Sequence, residues 1–335
     1  MKMERYLKKI YNKFLNFDKT RFFIDAEKYS TSLEKIKISR KVLKEFYDNY
    51  YRVSFILFLS NVKSIIYSPN VFDFIVKNSS EDWKLWPYLN FLEKEKIITV
   101  RPNGRVRVLK SDILRVIPRP QDEPEIKARI ERKLKVKVQE REPVTALFNK
   151  FKHFTIKGKW DQMPISQGSA IFVVKKILEN LPLNKKFLFV GDDDFISVIL
   201  SLVDSSIESL VIDADEQLLD CINFLALKFN LPIETRKVDI RKQRNLGEKF
   251  VGFLTNPIYT EAGIKTFLKY GINQLGKDGG SVFLEVGDES IGNRFLFLQE
   301  FFAKNNLVIN ELIRGGIFYP YVELYKEDIR KFTSK

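Results

Sequence analysis

The second half of the chain alternates between short apolar runs and longer segments whose apolar residues recur at helical spacing. Short apolar runs bounded by turn residues predict strands, and amphipathic segments predict helices. The predicted strands cover 186–190, 209–215, 232–240, 251–259 and 281–286, and the predicted helices cover 168–181, 195–203, 216–230 and 261–275. This order predicts an α/β domain with an open parallel sheet.

The first half has a different pattern. Residues 1–65 carry Phe, Tyr, Leu and Ile at helical spacing, and residues 71–110 predict two helices followed by strands on either side of Asn103-Gly104. An Asn-Gly pair suits a tight hairpin, so this region predicts a small α+β winged-helix-like unit. Its wing carries Arg101, Arg105 and Arg107. Such a unit either binds DNA or serves packing and dimerisation, and the second role is favoured here.

A charged segment bounded by prolines separates the two halves. It is poor in apolar residues and predicts a connector with a short helix or strand. The predicted domains are therefore 1–117, a connector over 118–145, and an α/β domain over 146–335.

Composition restricts the chemistry that is available. One Cys and one His among 335 residues leave too little for disulfides, zinc clusters or a Ser-His nucleophile pair. Acid–base chemistry then falls to carboxylates, Lys or Tyr. The abundance of Lys, Glu and Ile favours a thermophilic source. The chain begins without a signal-peptide core and its longest apolar stretch is short, so we expect a cytoplasmic protein without a membrane partner.

The charge distribution is uneven. The net charge of +14 suggests a polyanionic partner such as nucleic acid. Lys and Arg crowd the first half, however, while acidic residues collect at the ends of the apolar runs in the second half. The charge of a ligand site there is therefore expected to be opposite to that of the whole chain.

The predicted strand at 186–190 is followed by Gly191 and three aspartates, Asp192, Asp193 and Asp194. Ligands bind at this end of the strands in an open parallel sheet. One or two acids there would cap the next helix. A third adjacent carboxylate adds repulsion that a bound cation would relieve, and both a metal ion and a cationic substrate fit that description.

Three further candidate positions lie near the carboxyl ends of predicted strands. Asp213 lies about 20 residues after the glycine turn, where such domains grip ribose hydroxyls, while its neighbour Asp215 suits a helix cap. Asp239 ends the third strand and is a weaker candidate for contacting adenine. The stretch Asn256-Pro257-Ile258-Tyr259 is close to a pattern that orients an amine in enzymes that alkylate amino groups, although a strand end with a proline turn would look the same.

Together the stretches FVGDDDFISVILSL, VIDADEQLL, TNPIYT and WDQMPIS, the last at 160–166, resemble the archaeal and thermophilic bacterial branched-chain polyamine synthases. The resemblance implies a Rossmann-type, methyltransferase-like domain behind a winged-helix-like domain. It implies aminopropyl transfer from decarboxylated S-adenosylmethionine, a co-substrate, to the secondary amine of spermidine, with methylthioadenosine leaving. It implies no prosthetic group and no metal, and we expect a homodimer.

The resemblance also assigns roles to residues. It implies that the three aspartates form an acidic patch around the polyamine and the aminopropyl group and that one of them is catalytic; we choose Asp194, the last of the three. Gly191, Asp213 and Asp239 are expected to bind the co-substrate. The polyamine would be bound by Asp192, Asp193, Asn256, Tyr259, Asp161 and Gln162. The family usually has Asp-Pro-Pro where this chain has Asn256-Pro257-Ile258, a departure that bears on the acceptor.

The residues support cationic substrates by their own chemistry. Ordinary S-adenosylmethionine ends in a carboxylate, whereas its decarboxylated form ends in an ammonium group that carboxylates attract. Two rivals remain at this point. One is a methyltransferase for amino groups of nucleic acid, which the acidic turn disfavours. The other is a non-catalytic winged-helix protein that binds DNA and senses polyamines.

Overall fold

The structure is a computed structural model that describes residues 2–17, 55–68, 70, 82–160, 162–183, 185–243, 245–287, 291–292 and 294–320. The chain forms two compact units, Met1–Arg119 and Pro120–Lys335. Among the described residues, no helix is long and apolar enough to cross a membrane.

The first unit contains three described helices, α1 (Lys2–Leu15), α2 (Phe55–Tyr67) and α3 (Asp82–Lys94). They meet through aromatic side chains. The ring of Phe14 on α1 stacks on Tyr88 with centroids 4.5 Å apart, and Phe58 and Phe91 pack against it from α2 and α3. The helical spacing of the sequence therefore marks a real apolar contact face.

A hairpin follows α3. Strands β1 (Ile98–Val100) and β2 (Val106–Val108) pair antiparallel, with Ile98 opposite Val108. Gly104 has a φ of +78°, a conformation that glycine adopts without strain, and its N–H donates to the carbonyl of Arg101. The predicted hairpin is confirmed. The winged-helix assignment stays a prediction, because residues 71–81, which include its first predicted helix, lie outside the described residues.

The second unit begins with helices α4 (Glu123–Leu134), α5 (Thr145–Phe148) and α6 (Gln167–Asn180). Asp122 caps α4 by accepting from the N–H of Glu125, and α4 buries Ile126, Ile130 and Leu134 in the core of this unit. The predicted connector thus contains a packed helix. The predicted domain limits themselves stay a prediction.

A five-stranded sheet forms the centre of the second unit. In chain order its elements are β3 (Phe187–Val190), α7 (Ile196–Val203), β4 (Ser209–Asp213), α8 (Glu216–Phe229), β5 (Ile233–Lys237), β6 (Gly252–Thr255), α9 (Glu261–Gln274), β7 (Ser281–Leu284) and α10 (Arg294–Lys304). The spatial order is β5-β4-β3-β6-β7, and every paired strand runs parallel to its neighbour. The predicted α/β fold with its parallel sheet is confirmed.

Strand alternation divides the core between the two faces of the sheet. Phe187 and Phe189 face the cluster that includes α4, α6, α7 and α8, whereas Leu188 and Val190 face the cluster that includes α9 and α10. The order in which strands are added to the sheet changes direction after β5. Strands β4 and β5 lie on one side of β3, and β6 and β7 lie on the other side. Ligands bind at such a switch point in open α/β sheets.

Candidate functional site

The residues just after the strands form one row across the carboxyl edge of the sheet. Val190 pairs with Ile212 and Thr255, and Thr255 pairs with Leu284. The residues that directly follow these four paired residues therefore share one register position. They are Gly191, Asp213, Asn256 and Glu285. Residues that occupy one register position of parallel strands project to the same face. The sheet thus gathers a glycine, two acids and an amide at the switch point.

Gly191 starts the acidic turn with a φ of +80°, a conformation that disfavours any side chain. The nearest atom to a Cβ built there would be Oδ2 of Asp213, at 3.9 Å. The glycine therefore leaves space beside the Asp213 carboxylate, where a ribose hydroxyl was expected from the sequence.

Asp192 is the acid that caps helix α7. Its Oδ1 accepts from the N–H of Ile196 at 2.8 Å, and its Oδ2 accepts from the Ser197 hydroxyl at 2.5 Å. These bonds favour the ionised form, yet burial outweighs them and raises the pKa of Asp192 well above its ordinary value. The structure places this predicted substrate-binding residue in a helix cap, and its contact with a polyamine stays a prediction.

Asp193 and Asp194 instead face the loop at 162–166. Oδ2 of Asp193 accepts from the N–H of Met163 at 3.0 Å, and Oδ1 of Asp194 accepts from the N–H of Ile165 at 2.7 Å. The stretch WDQMPIS and the acidic turn, which the resemblance linked, therefore lie in contact. Asp161, a predicted substrate-binding residue in that stretch, lies outside the described residues.

Gln162 connects this loop to the end of β4. Its Nε2 donates to Oδ2 of Asp215 at 3.0 Å, and its Oε1 accepts from the N–H of Lys157 at 2.9 Å. Both ends of the Gln162 side chain are therefore occupied by protein groups. It holds the loop in place, and its predicted role in binding the polyamine stays a prediction.

Asp194 is a buried carboxyl group whose pKa is strongly raised. It is 3% exposed. Burial, and next the charge of Asp192, raise its pKa to about 7, against hydrogen bonds from Ile165 and Asn256 that lower it. The pKa of Asp193 is likewise raised by burial and by the charge of Asp194. A carboxyl group that titrates near neutral pH can take up a proton during a reaction.

A network of polar side chains surrounds Asp194. Asn256 Nδ2 donates to Asp194 Oδ2 at 3.5 Å and to the hydroxyl of Tyr319 at 3.2 Å. The hydroxyl of Tyr259 donates to Asn256 Oδ1 at 3.3 Å and lies 3.2 Å from that of Tyr319. The structure thus brings together the predicted residues Asp194, Asn256 and Tyr259.

Two residues of this edge were missed from the sequence. Tyr319 belongs to an irregular segment after α10, and nothing in its surroundings signals a contact with Asn256. Glu285 carried a signal, because it directly follows the last predicted strand. It is 7% exposed, and neither carboxylate oxygen has a hydrogen-bond partner among the described residues.

The ends of β4 and β5 border a second part of the edge, a cavity of about 630 Å³. Asp215, which lines it, caps α8 by accepting from the N–H of Gln217 and also pairs with Lys157 at 2.7 Å. The capping role foreseen for Asp215 is confirmed. Asp213 accepts from the N–H of Asp215, and burial raises its pKa to about 6.

Asp239 also lines this cavity. Both of its oxygens accept from the guanidinium of Arg241 at 2.9 Å, and these bonds lower its pKa to about 2. It is therefore ionised and already paired. The predicted contact of Asp239 with adenine stays a prediction. Among the described residues, no group of three or more His, Cys, Asp or Glu side chains has an arrangement that could hold a metal ion.

Comparison with known proteins identifies the family. The family model of the branched-chain polyamine synthase A C-terminal domain matches residues 150–334, more than half of the chain. The chain belongs to this family. The branched-chain polyamine synthase domain therefore contains every predicted site residue and also Glu285 and Tyr319.

Two relatives come from Methanocaldococcus jannaschii. An N(4)-bis(aminopropyl)spermidine synthase is 32% identical over 153 residues, which are 44% of this chain and 43% of that protein. An uncharacterised protein is 36% identical over 142 residues, 42% of this chain and 36% of that protein. The matches thus span less than half the length of either relative.

The solved structures that resemble the chain include one of a branched-chain polyamine synthase. It is the branched-chain polyamine synthase of Thermus thermophilus in complex with N4-aminopropylspermidine and 5′-methylthioadenosine. The match covers 83% of this chain and 80% of that chain, with 19% sequence identity and a TM-score of 0.48.

Proposed function

We propose that this protein transfers aminopropyl groups from decarboxylated S-adenosylmethionine to an amine of a polyamine and releases methylthioadenosine. The observation that carries the proposal is Asp194, a buried carboxyl with a pKa of about 7 at the switch point of the sheet. Family membership supports the proposal. The relative from Methanocaldococcus jannaschii supports spermidine as the acceptor, with its secondary amine as the attacking group.

The charges along the edge support decarboxylated S-adenosylmethionine as the donor. The nucleoside would occupy the cavity at the ends of β4 and β5, with its ribose hydroxyls toward Asp213, while its sulfonium and ammonium would lie near Asp193 and Asp194. Among the described residues, neither Asp193 nor Asp194 has a hydrogen bond or ion pair with Lys or Arg. Ordinary S-adenosylmethionine would place its own carboxylate against these acids, which disfavours it as the donor.

The transfer itself is a displacement at carbon. The lone pair of the attacking nitrogen forms the C–N bond as the C–S bond breaks, and the bonding electrons leave with the sulfur of methylthioadenosine. In the transfer to the secondary amine, the positive charge of the sulfonium passes to the nitrogen, which then loses its proton to the carboxylate of Asp194. A base whose pKa lies near the working pH is suited to that step. A second transfer to the same nitrogen would give a quaternary ammonium, which has no proton to lose.

The hydrogen bonds to Asp194 support this role. The N–H of Ile165 occupies Oδ1 at 2.7 Å, while Oδ2 has, among the described residues, only the longer contact of 3.5 Å with Asn256. Oδ2 is therefore the oxygen that would accept the proton. Asn256 and Tyr259 would orient the acceptor amine beside it.

Product analysis tests the proposal. The purified protein is incubated with decarboxylated S-adenosylmethionine and spermidine, and the polyamines are examined by mass spectrometry. We expect products heavier by one and by two aminopropyl units, together with methylthioadenosine. A parallel reaction with ordinary S-adenosylmethionine serves as control. Unchanged spermidine with the first donor, or a methylated product with the second, would contradict the proposal.

A further inference from the structure

Glu285 has a fixed backbone and an unsatisfied side chain. Its N–H donates to the carbonyl of Thr255 at 3.0 Å, which extends the pairing of β6 and β7 by one residue. The residue is 7% exposed, and its two buried carboxylate oxygens have no hydrogen-bond partner in the part of the chain that the structure describes. Burial of an ionisable group without compensating bonds opposes folding, so the residue requires another explanation.

The surroundings of Glu285 are acidic. Burial is the strongest cause of the raised pKa of Glu285, and the charges of Asp194, Asp193 and Asp192 raise it further. Glu285 in turn raises the pKa of Tyr259, whose own strongest influence is burial. All these groups belong to the proposed polyamine site, and no cation of the described residues pairs with Glu285. Within the described part of the chain Glu285 thus has no counter-ion, and a cation from outside the protein would supply one.

The position of Glu285 limits what that cation can be. The strand β6 separates β3 from β7, and neighbouring strands lie about 4.8 Å apart, so the backbones after β3 and β7 are about 10 Å apart. Glu285 directly follows β7, and Asp194 lies three residues after Gly191 in the turn that follows β3. Two carboxylates that follow different strands of one sheet edge can each bind one nitrogen of a polyamine arm, because such an arm carries a nitrogen at each end.

We propose that Glu285 binds the terminal ammonium of the acceptor polyamine and thereby sets which nitrogen faces Asp194. The proposal rests on the function proposed above. An alkylammonium carries three N–H donors and a positive charge, which match the two orphan oxygens of Glu285. Glu285 is thus a positioning residue that selects the length and charge of the acceptor.

Spermidine binding tests this role without any reaction. Its dissociation constant is measured by calorimetry in the presence of methylthioadenosine, for the wild type and for Glu285→Gln. Glutamine keeps the size of the side chain and removes its charge. We expect binding at least about tenfold weaker in the variant, because the ammonium loses a buried ionic partner. Equal binding by the two proteins would overturn the proposal.

A matched control separates this effect from a general loss of negative charge. Glu208 is exposed and directly precedes β4, at the opposite edge of the sheet. We expect Glu208→Gln to bind spermidine within about twofold of the wild type, as surface substitutions usually do. If Glu208→Gln bound spermidine as weakly as Glu285→Gln does, the loss would be an effect of net charge, and the assignment would be overturned.

A second arm identifies the group that Glu285 contacts. Two spermidine analogues, each with a methyl group in place of one terminal amine, are compared with spermidine in both proteins. One of the two analogues lacks the terminal amine that Glu285 binds. We expect it to bind at least about tenfold more weakly than spermidine to the wild type, and less than about threefold more weakly than spermidine to Glu285→Gln. The two losses differ because the effects of removing two groups that contact each other are not additive. Equal losses in both proteins for both analogues would overturn the proposal. If Glu285→Gln does not fold, Glu285→Asp enters the same comparison.

These measurements separate the two proposals. Spermidine binding that depends on Glu285, without aminopropyl transfer, would support the role of Glu285 and contradict the proposed function. If the protein transfers aminopropyl groups but binds spermidine equally well without the Glu285 carboxylate, the proposed function is supported and the role of Glu285 is contradicted.

Discussion

The side-chain nitrogen of Asn256 lies 3.5 Å from Oδ2 of Asp194 and donates a hydrogen bond to it. The sequence resemblance implies Asp in the family at the place of Asn256. In this chain an amide donor stands beside the acid, where the usual residue would add a second carboxylate. The contact lowers the pKa of Asp194 against the stronger effect of burial.

Asn256→Asp should therefore move the pH dependence of the reaction upward. A second carboxylate next to Asp194 disfavours its ionised form, so the pKa of Asp194 rises above about 7 and the acidic limb of kcat/KM shifts by about one pH unit. Aminopropyl transfer measured from pH 5.5 to 9.5 checks this. The exposed Asn223→Asp on α8 is the control and should leave the limb in place. A limb that stays or moves downward in Asn256→Asp would contradict the role of the amide.

Acidic pH should stabilise the ligand-free protein. The folded-state pKa values of Asp194 and Asp213, about 7 and about 6, lie above the ordinary value of 3.8, so the folded state holds protons that the unfolded state has released. The contribution of these two groups to the free energy of unfolding is therefore complete below about pH 4, and it decreases as the pH rises toward 7. Each such group contributes a slope of about 1.4 kcal/mol per pH unit within its window.

Scanning calorimetry at pH 5, 6 and 7 checks this dependence. We expect Tm to decrease with pH in the wild type and to decrease less in Asp194→Asn, because that variant lacks one of the titrating groups. Acids with lowered pKa, such as Asp239, act in the opposite direction only at lower pH. A wild-type Tm that rises across this range would show that the carboxyl groups are not destabilised in the folded state.

Asp213 should affect the donor and not the acceptor. It ends β4 beside the space left by Gly191, where we place the ribose. Asp213→Asn removes an acceptor of ribose hydroxyl bonds, so we expect the KM for decarboxylated S-adenosylmethionine to rise by about tenfold. The KM for spermidine should change by less than about twofold. A rise confined to spermidine would place Asp213 in the acceptor site instead.

The sequence predicts the scaffold of this site well because the scaffold follows from local patterns. Apolar runs and helical periodicity are properties of neighbouring residues, and the carboxyl ends of parallel strands must lie at one edge. That reasoning brings the acidic turn, Asp213 and Asn256 to the same row. It also finds the helix cap at Asp215, which depends only on the helix that follows.

The remainder depends on long-range packing. Tyr319 contacts Asn256 across 63 positions of chain, and only the folded path of the segment after α10 creates that contact. Glu285 looks like any acid that ends a strand until its burial and missing partners are known. The cap formed by Asp192 shows the same limit, because three adjacent aspartates do not reveal which of them turns toward the helix.

The most direct test of the account is the turnover of Asp194→Asn. Asparagine keeps an oxygen for the N–H of Ile165 but cannot accept a proton, and general base catalysis contributes about 100-fold or more. We predict that kcat for aminopropyl transfer from decarboxylated S-adenosylmethionine to spermidine falls by at least about 100-fold. The circular dichroism spectrum should be unchanged, and the exposed Asp220→Asn on α8 should be as active as the wild type. A folded Asp194→Asn protein with kcat within about threefold of the wild type would contradict the central claim that Asp194 accepts the proton.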